Sequence, residues 1–185
     1  MALISKDEAM EILREHIKNE NLIKHCLAVA AIMEEIAKVK GKDPELWYLT
    51  GLLHDVDYEE CNGDMSKHGL MAEDILKDVL PEESISAIKA HNENTGHKDD
   101  SELATALKAS DSLSGLIVAT ALVMPDKKLS SVKVKSVKKK FKQKDFARGV
   151  DREEILLCEN LGFSLNEFIE LGLKALNAIS EDLGL

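Results

Sequence analysis

The stretch LTGLLHDVDYEECNGDMSKHG, residues 49–69, decides how this chain is interpreted, because an apolar helix runs straight into an acidic turn. An adjacent pair, His54 and Asp55, stands where the apolar run ends, and His68 follows soon after. A packed helix end needs none of these groups, whereas a metal ion needs several of them. The stretch therefore raises the hypothesis of a metal site, for which the rest of the chain must supply further ligands.

Helix start and stop signals recur along the whole chain. Ser5 and Glu8 form a predicted capping box, Asn21 is the predicted N-cap of a second helix that Gly41 ends, and Asp43 opens a third. Further signals predict helices at about 67–79, 81–91, 101–124 and 131–142, and capping boxes at 151–154 and 164–167. Because no convincing alternation of apolar and polar residues appears, we predict an all-α fold, an orthogonal bundle of about eight or nine helices.

Composition bounds the domain organisation and the surroundings. The 185 residues are 44% hydrophobic and only 4% aromatic, which predicts one domain with an aliphatic core. We place its centre at about 21–125 and a C-terminal helical extension at about 126–185. No apolar run approaches the ~18 residues of a membrane span, and three scattered cysteines form no CxxC pair. The prediction is a cytoplasmic protein with no membrane partner, and the oligomeric state stays open.

Two more polar residues interrupt apolar helices. His25 lies within LIKHCLAVAAI, and Asp111 lies within ASDSLSGLIVA. A buried carboxylate without a partner costs several kcal/mol, roughly, so such groups make sense if they converge on a cation. A single histidine on an apolar face is more often a hydrogen-bonded core residue than a ligand. The combined set of two imidazoles and two carboxylates favours Mn, Fe, Co, Ni or Zn over Ca.

The order of these residues resembles a known signature. His25, then His54 and Asp55 after GLL, then Asp111 resembles the H…HD…D pattern of the HD superfamily of metal-dependent phosphohydrolases, and several longer stretches resemble its HDIG-type predicted hydrolases without an assigned substrate. The resemblance implies an all-α bundle in which these four residues bind a first metal ion. It also implies that metal-activated water attacks phosphorus in a phosphate ester or nucleotide.

His68 and His91 fall between the His-Asp pair and the last aspartate. That order resembles superfamily members with two ions bridged by the motif aspartate, so the implied cofactor is one or two divalent ions of Mn, Fe, Co, Ni, Zn or Mg. Two plainer interpretations stay open, because His68 could lie on the surface at a helix start and His91 could cap its own helix. Asp55 and His91 are the implied catalytic residues, and with a single ion His91 or His68 would protonate the leaving group.

One position departs from the superfamily pattern. Some mononuclear nucleotidases carry an acidic residue three positions after the motif aspartate, where this chain has Tyr58. Asp57 and Glu59 flank that position, but neither has the right offset. The departure favours the two-metal version. His16 and His97 are expected to be solvent-exposed.

An anionic substrate needs cations near the metal. Lys24 and Lys67 each adjoin a candidate ligand in the sequence, and Lys108 lies one turn before Asp111 on the same helix face. We predict all three as phosphate-binding residues, and Lys108 also as a catalytic residue. The alternative for each is a solvated helix surface.

Residues 127–148 hold nine lysines and Arg148 against a single aspartate, although the whole chain carries a net charge of −10. The segment is either a solvated face that complements the acidic remainder or an electropositive wall that guides a phosphorylated substrate. We do not expect the segment to bind nucleic acid, because it is short and matches no recognition motif. Two other functions stay open, a non-catalytic module that binds metal and nucleotide, and an interaction protein that uses this segment to bind nucleic acid.

Overall fold

The structure is a computed structural model and describes residues 2–185. Within that range it contains helices and no strand, which confirms the all-α prediction. Three short 3-10 helices join the α-helices. The α-helices are α1 (Lys6–His16), α2 (Glu20–Lys40), α3 (Pro44–Leu53), α4 (Leu70–Leu76), α5 (Glu82–Ala90), α6 (Glu102–Leu122), α7 (Val134–Lys142), α8 (Arg152–Leu156), α9 (Leu165–Ala178) and α10 (Ser180–Leu183). Among these α-helices, the four-residue α10 is the one that the sequence signals did not indicate.

Side-chain caps begin most of the longer helices. The predicted capping boxes of Ser5 with Glu8 and of Ser164 with Glu167 are both present. The predicted cap of α2 was wrong by two positions. Asn19, not Asn21, is the N-cap, and its amide oxygen accepts from the backbone N–H groups of residues 21 and 22. An acceptor must stand before the first turn to reach those donors, so Asn21 lies inside the helix.

Two further predictions were wrong, the bounds of the fourth helix and the capping box at 151–154. The fourth helix covers Leu70–Leu76 and not 67–79, because Gly69 at φ +99° breaks the chain direction just before it. Asp151 caps α8, but Glu154 does not complete the predicted box. Its carboxylate instead accepts a hydrogen bond from Ser112 on α6, at 2.8 Å. This tertiary hydrogen bond replaces the predicted capping contact of Glu154.

Close packing of α3 on α2 positions the His-Asp pair. A Cβ atom at Gly51 would lie 2.9 Å from the Cα of Ala30, so only glycine permits this approach. α2 also packs on α6 and α9, and the contact surfaces are aliphatic and buried. The end of α3 therefore lies against the N-terminal half of α2, which carries His25.

The chain after residue 126 packs on the same helices. Gly172 of α9 lies against the side chains of Leu113 and Ile117 of α6, where a Cβ would come within 2.7–2.8 Å. The division into a centre and an extension stays a prediction. Cys26, Cys61 and Cys158 are buried and free. Among residues 2–185, no helix combines the length and the apolar character that crossing a membrane requires.

Candidate metal centre

Four side chains from three helices converge. His25 comes from α2, His54 and Asp55 follow the last turn of α3, and Asp111 comes from the middle of α6. The Nε2 atom of His25 lies 2.9 Å from an Asp111 oxygen, and Nε2 of His54 lies 3.2 Å from Oδ2 of Asp55. The ring centres of His25 and His54 are 5.3 Å apart. These donors are close enough together to share one ion.

A second group meets the other oxygen of the same aspartate. Nε2 of His68 lies 3.1 Å from Oδ1 of Asp55, and Nε2 of His91 lies 3.3 Å from it. The two imidazole nitrogens are 3.1 Å apart. Both histidines are buried. The alternative that His68 is an exposed residue at a helix start is therefore wrong. Asp55 therefore presents one oxygen to each group.

Backbone carbonyls orient two of the rings. Nδ1 of His54 faces the carbonyl of Gly51 at 2.6 Å, and Nδ1 of His91 faces the carbonyl of Ile88 at 2.5 Å. A carbonyl only accepts, so each Nδ1 carries the proton and each Nε2 points to Asp55. The capping contact that was an alternative for His91 is therefore present, and it leaves Nε2 free for the centre.

Asp57 orients His68 and was not singled out from the sequence. One of its oxygens accepts from Nδ1 of His68 at 2.8 Å, and the other accepts from the backbone N–H groups of Gly69 and Ala72 at 2.7 and 2.9 Å. Its side chain is fully buried. The sequence shows a carboxylate beside Tyr58, but nothing local indicates that a turn returns twelve residues later to meet it.

The centre has the chemistry that a cation fits. Nε2 of His54 is buried and lies 3.2 Å from Oδ2 of Asp55, but with the ring proton on Nδ1 two acceptors face each other, so this atom forms no hydrogen bond with any described residue, which is rare and costly. Burial opposes charging of His54, yet the Asp55 and Asp111 carboxylates outweigh it and raise the pKa of this imidazole. The same balance, with Asp55 and Asp57, raises the pKa of His68 to about 9. Both shifts reflect the negative charge that the buried carboxylates concentrate here, which a divalent ion would neutralise.

A cleft of about 390 Å³ opens onto the centre. Tyr58 stands at its mouth, 44% exposed, with its ring edge-on to His68 at 5.2 Å between centres. Glu154 lines another wall. Burial, followed by the neighbouring Asp111 and Asp151 charges, raises the pKa of Glu154 to about 7. Glu154 was missed as a site residue, because its sequence context indicated only a cap.

The three candidate lysines lie outside the residues that line this cleft. Lys24 lines a separate cavity that also touches His25. Lys67 is exposed and pairs with Asp64 at 3.7 Å. Lys108 lies near enough to Glu154 for its charge to act on that carboxyl. Their roles toward phosphate stay predictions.

The remaining histidines, His16 and His97, were expected to be solvent-exposed, but both are half-buried and form contacts. His16 is half-buried and pairs with Glu60, and Nε2 of His97 lies 2.9 Å from the hydroxyl of Ser86. The first contact attaches the loop that carries Glu60 to the end of α1, and the second attaches the loop that carries His97 to α5. They give these residues a structural explanation.

Comparison with known proteins agrees with this geometry. The family model described as "HD domain" matches residues 22–116, a segment that contains every candidate ligand. The chain belongs to the HD-domain family. HD domains form a family of metal-dependent hydrolases, and the His and Asp cluster of this HD domain could hold a divalent ion.

Two relatives of this HD domain were found among curated proteins. The uncharacterized protein MJ0778 of Methanocaldococcus jannaschii is 30% identical over 112 residues, which is 58% of this chain and 64% of the relative. Ribonuclease Y of Lawsonia intracellularis is 32% identical over 97 residues, which is 52% of this chain and 18% of the relative. The chain thus spans less than two thirds of either relative. No solved structure matches it.

Proposed function

We propose that this HD domain is a metal-dependent phosphohydrolase that acts on a phosphate ester or nucleotide. The observation that carries the proposal is Asp55, whose two oxygens face two separate groups of histidine nitrogens at 3.1–3.5 Å. A carboxylate in that position can bridge two ions. The unpartnered Nε2 of His54 supports the same interpretation.

The donors divide naturally into two sets. His25, His54, Asp55 and Asp111 would hold a first ion, and Asp55, His68 and His91 would hold a second. A divalent ion in such a set lowers the pKa of bound water and neutralises charge on phosphoryl oxygens. The nitrogen and oxygen donors suit Mn, Fe, Co, Ni or Zn, and Mg less well.

The chain's own groups would orient the substrate and move protons. Asp57 keeps the His68 ring in one tautomer, and the carbonyl of Ile88 does the same for His91. If a single ion is bound, the Nε2 atom of His91 or of His68 is free to protonate the leaving oxygen. Lys108 adds positive charge beside the carboxyl of Glu154.

The choice of substrate class rests on the relatives and the cleft. The name of ribonuclease Y describes an enzyme that acts on RNA, which supports a phosphodiester as the scissile group here. The cleft is open to solvent, and the exposed ring of Tyr58 at its mouth is available to contact a group attached to that phosphate.

Elemental analysis of the purified protein, followed by a panel of phosphomonoesters and phosphodiesters with added Mn²⁺, Co²⁺ or Ni²⁺, tests the proposal. We expect bound metal and hydrolysis of at least one ester, both lost in Asp55→Ala. Asp64→Ala, an exposed carboxylate in the same loop, is the matched control and should change neither. Full metal content and activity in Asp55→Ala would contradict the assignment. Metal without turnover across the panel would instead favour a binding module.

A further inference from the structure

A second cavity lies beside the metal cleft, at the end of the basic segment. Its volume is about 440 Å³, and it is enclosed by the last turn of α7, the loop after it and α8. Four cationic side chains line it against a single carboxylate. These are Lys142, Lys144, Arg148, Arg152 and Glu153. The local charge is therefore opposite to that of the chain as a whole.

Most of this positive charge is not neutralised within the protein. Lys142 and Lys144 are exposed and form no ion pair with any residue in the described part of the chain. Arg148 pairs only with Asp145 at 3.7 Å, and the two side chains are 80% and 98% exposed. Such exposed pairs are weak. These side chains are therefore available to contact an anion.

Arg152 holds the loop that carries these cations. Its guanidinium donates to six backbone carbonyls between residues 140 and 150, at 2.5–3.2 Å. Within that loop, Ala147 has φ +49°, a conformation that a residue with a Cβ adopts only when its surroundings impose it. Since its carbonyls turn inward to Arg152, the loop is held in one shape, and less ordering is needed when an anion binds.

The same loop forms a wall of the metal cleft. Val150 lines both cavities, and its neighbours Gly149 and Asp151 line the cleft. Val150 also contacts α6 one turn from Asp111, where its methyl group would lie 3.2 Å from a Cβ at Gly115. The side chain of Val150 is therefore a wall common to the two cavities, which allows one extended molecule to contact both.

We propose that the cavity lined by Lys142, Lys144 and Arg148 binds a second phosphate group of the substrate whose scissile phosphate lies at the metal centre. This rests on the proposed function. The substrate class is then a phosphodiester with an additional phosphate, as in a phosphorylated dinucleotide or a short oligonucleotide. Guanidinium and ammonium groups are the side chains that bind phosphate most strongly, and no carboxylate other than Glu153 competes in this cavity.

Binding of matched dinucleotides tests the proposal without requiring turnover. The probes are ApA, which contains one phosphodiester, and pApA and ApAp, which add a phosphate at one end. Isothermal titration calorimetry on the full chain as purified, without chelator, gives each affinity, and chromatography of each probe after the titration checks that it is intact. We expect at least one phosphorylated probe to bind about tenfold tighter than ApA, the effect of one charge-assisted contact. Equal affinities, or no binding of any probe, would overturn the proposal.

A charge-reversal pair locates the effect. In Lys144→Glu/Arg148→Glu the tenfold advantage should disappear while ApA binding stays within about twofold. Lys133→Glu/Lys135→Glu makes the same charge change on exposed lysines of the same segment, outside the cavity, and should keep the advantage. An advantage that survives in the first pair, or is lost equally in both, would contradict the site. If the first pair does not fold by circular dichroism, Lys144→Gln decides by the same criterion.

Hydrolysis of the same probes with Mn²⁺ separates this proposal from the one on which it rests. Cleavage at equal KM for ApA and its phosphorylated forms would retain the enzyme and remove the second-phosphate site. Tighter binding that depends on residues 144 and 148, without any hydrolysis, would retain the site and count against the enzyme.

Discussion

The two sides of Asp55 are built in different ways. On the Oδ2 side, His25, His54 and Asp111 come from helices α2, α3 and α6, which pack directly on each other. On the Oδ1 side, His68 comes from a turn and His91 from the residue after α5. The first side is positioned by buried aliphatic packing, and the second by hydrogen bonds.

Those hydrogen bonds come from two residues outside the ligand set. Asp57 holds His68 and the turn before α4. The side chain of Asn92 donates to the carbonyls of Met65 and His68, which attaches the end of α5 to the same turn. Packing of a core is distributed over many contacts, whereas this turn depends on a few. We therefore expect the Oδ1 side to be the more easily disrupted.

Asp55→Asn should break both sides at once and have the largest effect. An amide cannot offer two anionic oxygens, so neither set of donors is complete. We expect metal content near zero by elemental analysis and a loss of hydrolysis of at least about 1,000-fold. Retention of one equivalent of metal would show that Asp55 does not bridge the two sides.

Single histidine variants should distinguish the two sides. His54→Gln removes a donor from the Oδ2 side, and His68→Gln removes one from the Oδ1 side. For a centre with two ions, we expect His68→Gln to retain about one equivalent and His54→Gln less, because the packed side should bind more tightly. Calorimetric titration of each metal-free variant with metal measures the number of equivalents bound and checks this order. The reverse order would contradict the comparison.

Asp57→Asn should weaken the Oδ1 side alone. The amide group would place a donor against the N–H groups of Gly69 or Ala72, or lose the contact to His68. We expect metal affinity at that side to fall about 10- to 100-fold and the free energy of unfolding to fall by about 1–3 kcal/mol. The control is Asp64→Asn, an exposed carboxylate of the same loop. Unchanged affinity of both ions in Asp57→Asn would show that packing suffices on this side as well.

Glu154→Gln should have the smallest effect, and one that depends on pH. The folded-state pKa of about 7 lies above the ordinary value of ~4.3, so folding favours the protonated form and stability falls as pH rises between these values. Glutamine keeps an acceptor for Ser112 without titrating. In metal-free protein we expect the variant to be more stable by about 1 kcal/mol above pH 7, after allowance for solvent screening.

Urea unfolding at pH 4, 6 and 8 measures that difference, and it should vanish at pH 4. Glu153→Gln, at the exposed neighbouring position, should leave stability unchanged at each pH. A gain in Glu154→Gln that is equal at all three values would show that burial of charge is not its cause.

Local signals in the sequence predicted the helices well, because caps and apolar spacing act over three or four residues. The boxes at Ser5 and Ser164 and the proline start of α3 formed as expected. Two errors were local, the choice of Asn21 over Asn19 and the start of α4 beside Gly69, whereas the third came from a partner distant in the chain. Glu154 accepts a hydrogen bond from Ser112, 42 positions away, and does not complete the predicted capping box.

The sequence by itself determined the all-α fold, the order of the candidate ligands and the family, since each depends on residue type and spacing. Only the tertiary structure decided that Asp55 divides its oxygens between two groups, that Asp57 holds His68, and that Arg152 places three cations beside the cleft. These facts depend on distances between segments far apart in the chain, and packing of whole helices sets those distances. No local pattern encodes them.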